Sequence, residues 1–353
     1  FLLITVAFSV LFAVSIYPDS QGEIHQITTG FRGLVLPHFI GVPLVFLLVA
    51  VCFTLLSQQL GIYLNRLSPL IAYTWDILGS LMGIAAFTLN SFLGANPLIW
   101  FGSFSIVFLI LKMERSNRWL LSVLAFELLL LIIIPTVKGV YWSPYEKISI
   151  EPLVNNVDST IDGYRIYVNN IATQEALKDS SKKEWFYRVP YQYFSNPYYN
   201  NALIIGAGTG SDVAVALNYK VDRIDAVEID PQILRIGYDM HPNKPFQNPS
   251  VNTYNDDARS FLQKNKTKYD LIVFGLPDSL VLAASHGNIR LESFLFTLES
   301  FNAAKEHLTP NGLLVLYNYY NNPIIVTKLV GMLNEVFDYQ PYVIIDQKNS
   351  FLP

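Results

Sequence analysis

The chain has 353 residues, 52% of them hydrophobic and 15% charged, with a net charge of -4. That length accommodates two domains. The acidic balance gives no electrostatic footprint for nucleic acid, and no nucleic-acid partner is expected. A single cysteine, Cys52, within an apolar stretch excludes a disulfide framework and a thiol-ligated metal site, so no metal is expected. The averages conceal two unlike regions. Phe1 to Pro135 carries five basic and five acidic residues, whereas the following 218 positions carry 42 charges. A lipid-solvated region followed by a water-solvated one accounts for that step.

No charge occurs from Phe1 to Pro18, at the 33 positions between Arg32 and Arg66, or at the 35 between Asp76 and Lys112. Only Glu127 interrupts the run from Trp119 to Val137. A bilayer core needs about 20 apolar residues in a helix, because lipid offers no partner for bare backbone groups. The pattern predicts a transmembrane domain over 1–137 with five helices, near 1–17, 35–57, 70–89, 92–111 and 119–137. Buried helices of a water-soluble protein would show polar faces at helical spacing, which these runs lack. The sequence opens on Phe1 and is apolar at once, so we expect the natural N-terminus, with a signal peptide or further spans, to lie upstream.

Asp76 and Glu127 are ionisable groups in apolar helices, where a charge costs about 2.5–3.5 kcal/mol on insertion scales. They read either as part of a transport pathway or partner contact, or as accommodated charges. In the second case Asp76 reaches water near the 57–69 loop, and Glu127 is protonated or meets a neighbouring helix. Gly79 and Gly83 form a small-xxx-small pair that admits a second helix at close range. The orientation signals conflict. Lys112, Arg115 and Arg118 assign their loop to the cytoplasm, which places the C-terminal domain on the opposite face. A domain using a cytosolic cofactor belongs inside. We expect a plasma (inner) membrane protein with a cytoplasmic soluble domain, a missed or half-span reconciling the two signals.

From Asn201 short apolar runs alternate with amphipathic segments. Ala202–Ile205 reads as a strand, Gly206-Ala207-Gly208-Thr209-Gly210 as a loop, and a helix follows to about Asn218. Further strands are expected at Arg223–Ile229, Val251–Tyr254, Asp270–Phe274 and Leu313–Asn318, with helices between. This alternation predicts a parallel sheet covered on both faces. Glycines after a first strand allow a tight turn and let a ligand approach backbone at a helix N-terminus. Glu228, 22 positions after Gly206 at the tip of the second strand, is placed to accept a ribose diol. The compact G-x-G-x-G form differs from the G-x-G-x-x-G of dinucleotide sites. Asp256 and Asp257 follow the third strand, where one acid accepts an adenine amino group and the other caps the helix at Ala258.

These residues resemble the spermidine synthase family, and more closely its bacterial membrane-embedded relatives. Ser143-Pro144-Tyr145-Glu146-Lys147-Ile148 is similar to the family's S-x-Y-Q-x-I strand. Tyr167-Val168-Asn169-Asn170 with Gln174 resembles a small N-terminal β-region ending in a cofactor-contacting glutamine. Glu184-Trp185-Phe186-Tyr187 resembles an E-F-x-Y segment whose tyrosine lines the amine pocket, and Leu295-Phe296-Thr297 with Glu299 an L-[FY]-T-x-E segment. Ser68-Pro69-Leu70 through Tyr73, Asp76, Gly79, Ser80 and Gly83 resembles the last transmembrane block of those relatives. The resemblance implies a multi-span α-helical membrane domain, a small β-region over 138–200, and a Rossmann-like α/β domain of spermidine synthase/methyltransferase type over 201–353.

It also implies S-adenosylmethionine or decarboxylated S-adenosylmethionine as cofactor, held by Gly206, Gly208, Gly210, Glu228 and Asp257 with Gln174 closing over it. Asp278 and Tyr187 are the implied catalytic candidates, acting on a small-molecule substrate. Standard putrescine aminopropylation is not expected. The family reads Y-D-x-I-x-x-D-x-x-D-P after the fourth strand, and its first terminal aspartate helps deprotonate the amine. Gly275 stands at that position, and Asp278 matches the second aspartate only. Thr209 replaces an aspartate in the loop, and Arg188-Val189 replace a His-Glu. Ser279, Ser285, His286, Arg290 and Glu292 cluster beyond the fourth strand. His286 is either a replacement base or a surface residue, and Arg290 and Glu292 either close over an acidic or zwitterionic substrate or pair with each other. The tyrosines of 191–199 and 317–320 either line a pocket or pack. Two functions follow: a membrane-anchored aminopropyl- or methyltransferase, or an inactive synthase-like scaffold among other membrane subunits. A transporter with a ligand-sensing domain, resting on Asp76 and Glu127, is a third.

Overall fold

The structure is a computed structural model that describes residues 13–16, 25–27, 35–112, 122, 125–126, 139–154, 160–169, 171–179, 184–194, 198–276, 295–317 and 323–344. The chain divides into two compact units. One comprises 1–149 and 167–172, the other 150–166 and 173–353.

In the first unit, β1 (Ala13–Ile16), β2 (His25–Ile27) and β3 (Val35–Pro37) form a sheet in the order β2-β1-β3. This corrects the helix expected near 1–17 at its end: Val14 pairs with Ile27 on one side and Leu36 on the other. β-Branched Val14 and Ile16 suit an extended backbone, and cross-strand partners replace the i−4 bonds. The helix expected from 35 begins three residues later, because Pro37 holds Leu36 out of the helical region. α1 (His38–Leu64), α2 (Pro69–Phe92) and α3 (Pro97–Lys112) follow. Pro69 opens α2 where an N–H would have no helical partner. Gly94, at φ +61°, ends it, its N–H donating to Ser91 O.

Among the described residues, α2 is the one helix long and apolar enough to cross a membrane. The predicted set of five is corrected to that extent. The apolar segments Phe39–Thr54 and Pro97–Val107 are shorter, and 119–137 lies almost wholly outside the described residues, Glu127 included. No residue of α2 is buried. A Cβ at Gly79 or Gly83 would meet nothing within 4 Å, so the small-residue pair brings no described helix of this chain close. The α2–α3 turn is fixed instead on β4 (Val140–Trp142). Ser91 Oγ donates to Pro144 O at 3.1 Å, and Trp100 packs edge-on to Trp142 at 4.7 Å. β4 lies antiparallel to the start of β5 (Lys147–Val154), and with β6 (Ile161–Val168) and β7 (Ile171–Leu177) the sheet order is β4-β5-β6-β7.

The second unit is built on β8 (Asn201–Ile205), β9 (Arg223–Glu228), β10 (Val251–Asn255), β11 (Tyr269–Phe274) and β12 (Leu308–Leu316). All pair in parallel, in the order β10-β9-β8-β11-β12. Side chains alternate between two cores, as a strand's period of two requires. Ala202, Ile204, Leu271 and Val273 meet α5 (Ser211–Asn218) and the segment around α4 (Val189–Gln192). Leu203, Ile205, Ile272 and Phe274 meet α7 (Ala258–Lys264), α8 (Leu298–Glu306) and α9 (Pro323–Phe337). α6 (Pro231–Met240) follows β9, capped by Asp230. The first four strands fall within a residue of expectation. The fifth begins at Leu308 rather than Leu313. Thr309-Pro310-Asn311-Gly312 reads as a turn, yet a register shift opposite Tyr269 and Leu271 takes it into the strand. A Cβ at Gly312 would stand 2.9 Å from Tyr269 O, so the close approach needs glycine there.

Candidate functional site

The strand order reverses beside β8, which has β9 on one flank and β11 on the other. Ligands of open α/β sheets bind at the carboxyl ends of the strands at such a point. The glycine loop leaves β8 here. Gly206, Gly208 and Gly210 have φ of +72°, +55° and +97°, conformations that cost other residues strain. The Gly206 and Ala207 amides both donate to Val227 O at 3.0 Å, tying the loop to β9.

Two side chains hold the remainder of the loop. Glu228, buried at the tip of β9, accepts from the Gly208 amide at 2.8 Å and the Asp230 amide at 2.9 Å. Burial raises its pKa against the pull of those N–H donors. Gln174 Oε1, from β7, accepts from both the amide and the hydroxyl of Thr209 at 3.0 Å. It packs so closely that a Cβ at Gly208 would lie 2.7 Å from it. The structure thus gathers Gly206, Gly208, Gly210, Glu228 and Gln174 into one assembly. Asp257 instead caps α7, accepting from the Arg259 and Ser260 amides at 3.1 and 3.0 Å. Asp256 pairs with Lys264 at 3.1 Å. Asn255 bridges to Glu228 O and Ile229 O at 2.9 and 2.8 Å.

On the other side of the loop lies an aromatic group around one carboxylate. Tyr187, on a 3-10 turn of Trp185–Arg188, is buried with its ring 5.0 Å from Phe186 and 5.8 Å from Tyr317. Tyr191 stacks on Tyr219 at 4.5 Å and 6°, and Tyr199 Oη donates to Pro190 O at 2.7 Å. Of the tyrosines in the two tyrosine-rich stretches, Tyr191, Tyr199 and Tyr317 are buried, whereas Tyr193 and Tyr198 are exposed. Asp212, in the first turn of α5, accepts a hydrogen bond from Tyr317 Oη. Complete burial pushes its pKa up to about 7, opposed by that bond. Asp212 was not foreseen, whereas Tyr317 belongs to the 317–320 stretch already singled out. The available signal was an acid in the run Ser211-Asp212-Val213-Ala214-Val215-Ala216, every member of which is buried. Asp278, Ser279, Ser285, His286, Arg290 and Glu292 lie outside the described residues, as do positions 318–320. Among the described residues, no group of three or more His, Cys, Asp or Glu is arranged to hold a metal.

Fold and loop together define an α/β unit with a parallel sheet and a glycine loop at its switch point. Comparison with known proteins refines the class: residues 183–343 match the Spermine/spermidine synthase domain. A polyamine aminopropyltransferase of Alkaliphilus metalliredigens is 31% identical over 126 residues, 35% of this chain and 41% of that protein. One from Buchnera aphidicola is 30% identical over 122 residues, 33% and 40% of the respective chains. The chain therefore spans about two fifths of the length of the curated relatives it matches. A spermidine synthase solved with the transition-state analogue AdoDATO superposes with a TM-score of 0.43 at 21% identity, covering 57% of this chain and 64% of that one.

Proposed function

We propose that the chain is a membrane-anchored transferase that binds S-adenosylmethionine or its decarboxylated form and passes an aminopropyl or methyl group to a small amine. The observation that carries this reading is the braced glycine loop. Three glycines at positive φ lead into α5, with an acid at the tip of the next strand and a glutamine over the loop. These residues fit an adenosine sulfonium. Each carboxylate oxygen has two acceptor positions, so Glu228 retains capacity for a ribose hydroxyl beyond its bonds to the backbone. Asp257 has the same spare capacity beside its capping bonds, for the adenine amino group. Tyr187 stands on the acceptor side, among rings that suit a cationic amine.

Anchoring is supported by α2, whose 24 residues include none that is buried. Three polar side chains of α1 and α2 bond back to their own backbones. Thr74 Oγ1 donates to Leu70 O at 2.8 Å, Thr54 Oγ1 to Ala50 O at 2.8 Å, and Asn90 Nδ2 to Ala86 O at 3.0 Å. Such bonds remove the need for water. Gly275 favours a second reading, an inactive scaffold in a membrane complex. Titration calorimetry of the detergent-solubilised full chain with S-adenosylmethionine, its decarboxylated form and methylthioadenosine separates the two. Saturable binding that weakens at least tenfold in Glu228→Gln supports the transferase. Absence of binding by folded protein leaves the scaffold.

A further inference from the structure

We propose that Asp212 supplies the carboxylate that binds and deprotonates the acceptor amine, a role that rests on the transferase reading above. Gly275 ends β11 without a side chain, and the space beside it is filled from elsewhere. A Cβ built there would lie 3.0 Å from Asp212 Oδ2, 3.3 Å from Gly206 O and 3.4 Å from Ile205 O. Asp212 Oδ2 therefore stands in close contact with the position a side chain would take at the carboxyl end of β11. It comes from α5, and Tyr317 beyond β12 fixes its other oxygen. A carboxylate is thereby brought to the switch point without a strand-end residue.

The surroundings select the ligand chemistry. Oδ2 stands with main-chain carbonyl oxygens, and the hydroxyl on Oδ1 belongs to a ring packed against Phe186 at 4.9 Å and Tyr187 at 5.8 Å. No Lys or Arg pairs with Asp212 among the described residues. A buried carboxylate without a cation is costly, and an alkylammonium flanked by aromatic faces is its complement. Among the described residues, the titratable groups facing Asp212 are Tyr317 and Tyr191, with Tyr187 packed against Tyr317, and burial holds Tyr317 and Tyr191 protonated well above neutrality. The carboxylate is then the group that changes charge near pH 7, the range suited to a base acting on an amine.

In the step, the ammonium gives one proton to Asp212, leaving a neutral nitrogen with a lone pair. That nitrogen forms a bond to the carbon attached to the sulfonium sulfur. The carbon–sulfur bond breaks with its electron pair going to sulfur, which leaves as a neutral thioether. The positive charge now sits on nitrogen, and the proton on Asp212 passes to water.

The test titrates putrescine, cadaverine and spermidine into the full chain saturated with methylthioadenosine, from pH 6 to 8. In the wild type amine affinity rises with pH through about 7. Asp212→Asn weakens it at least tenfold and abolishes the pH dependence, while methylthioadenosine affinity stays within twofold. The double variant Asp212→Ala/Gly275→Asp, which moves the carboxylate to the strand end, recovers amine binding over Asp212→Ala alone. Equal amine affinity in the wild type and Asp212→Asn overturns the proposal. So does a wild type that binds methylthioadenosine but none of the amines, and there the transferase reading survives. A wild type that binds no methylthioadenosine removes both.

Discussion

The α2 helix and the five-stranded sheet are comparably apolar and treat their side chains in opposite ways. In α2 no residue is buried, and Leu70, Met82 and Phe92 are wide open. In the sheet, Leu203, Ile204, Ile205, Leu271, Ile272 and Phe274 are wholly enclosed. Apolar content alone therefore does not say what solvates it. The sheet's residues alternate toward two protein cores, whereas α2 presents apolar groups on every side, as lipid contact allows.

The largest expected effect comes from truncating the same residue type in the two regions. Phe301→Ala removes a fully buried ring from the core of the second unit and should cost about 3–5 kcal/mol, read as lost hydrogen-exchange protection in β8 and β11. Phe87→Ala, in α2 and mostly exposed, should leave that protection unchanged. Equal losses would break the contrast.

The second unit also encloses two titratable groups of opposite sign. Burial raises Asp212 to about 7, so its contribution to stability is full below pH 4 and is lost as pH rises toward 7. Burial lowers His241 to about 4, so its contribution is full above about pH 6.5 and is lost as pH falls toward 4. Nδ1 of His241 accepts from the Asn243 amide at 3.1 Å, while Nε2 is buried without a partner among the described residues. At about 1.4 kcal/mol per unit, the slopes amount to about 4–5 kcal/mol for Asp212 and about 3–4 kcal/mol for His241, and in the wild type they largely offset. Asp212→Asn should expose the His241 slope, with stability falling toward pH 4. His241→Gln should expose the opposite slope. Thermal unfolding of the full chain at pH 4.5 and 7 measures both, and parallel slopes in the two variants would refute the assignment.

Ile84→Lys places a charge on the exposed surface of α2 and should cost about 3 kcal/mol of insertion, seen as increased release by alkaline carbonate extraction. Unchanged extraction, with the wild type itself released, would show that water and not lipid covers α2. The smallest effect is expected at Gln174→Ala. It deprives the Thr209 amide and hydroxyl of their acceptor and should cost about 1–3 kcal/mol, with methylthioadenosine binding weakened more than amine binding.

Much of the α/β unit was legible because its signals are local. A strand, three glycines, a helix and an acid at the next strand tip lie within Asn201–Glu228, and Gln174, upstream of them, was singled out through a resemblance carried by 167–174. What escaped depends on distant partners. The start of β12 is masked by Pro310-Asn311-Gly312, and only the register shift against β11 makes it strand. Asp257 carried two roles in sequence, and the cap is the one its bonds display. The strand at Ala13–Ile16 lies in a segment whose apolar composition serves helix and strand alike. Asp212 was missed for a related reason: nothing local marks a helix acid as lying against a glycine 63 positions away.

That proximity couples the effects of substitutions at positions 212 and 275. With Asp212 present, Gly275→Asp forces two carboxylates into one space, where they repel and cannot both ionise. With alanine at 212, the same substitution supplies the only carboxylate there among the described residues. The effect of one mutation thus reverses sign with its neighbour, so the order of changes matters as much as their sum.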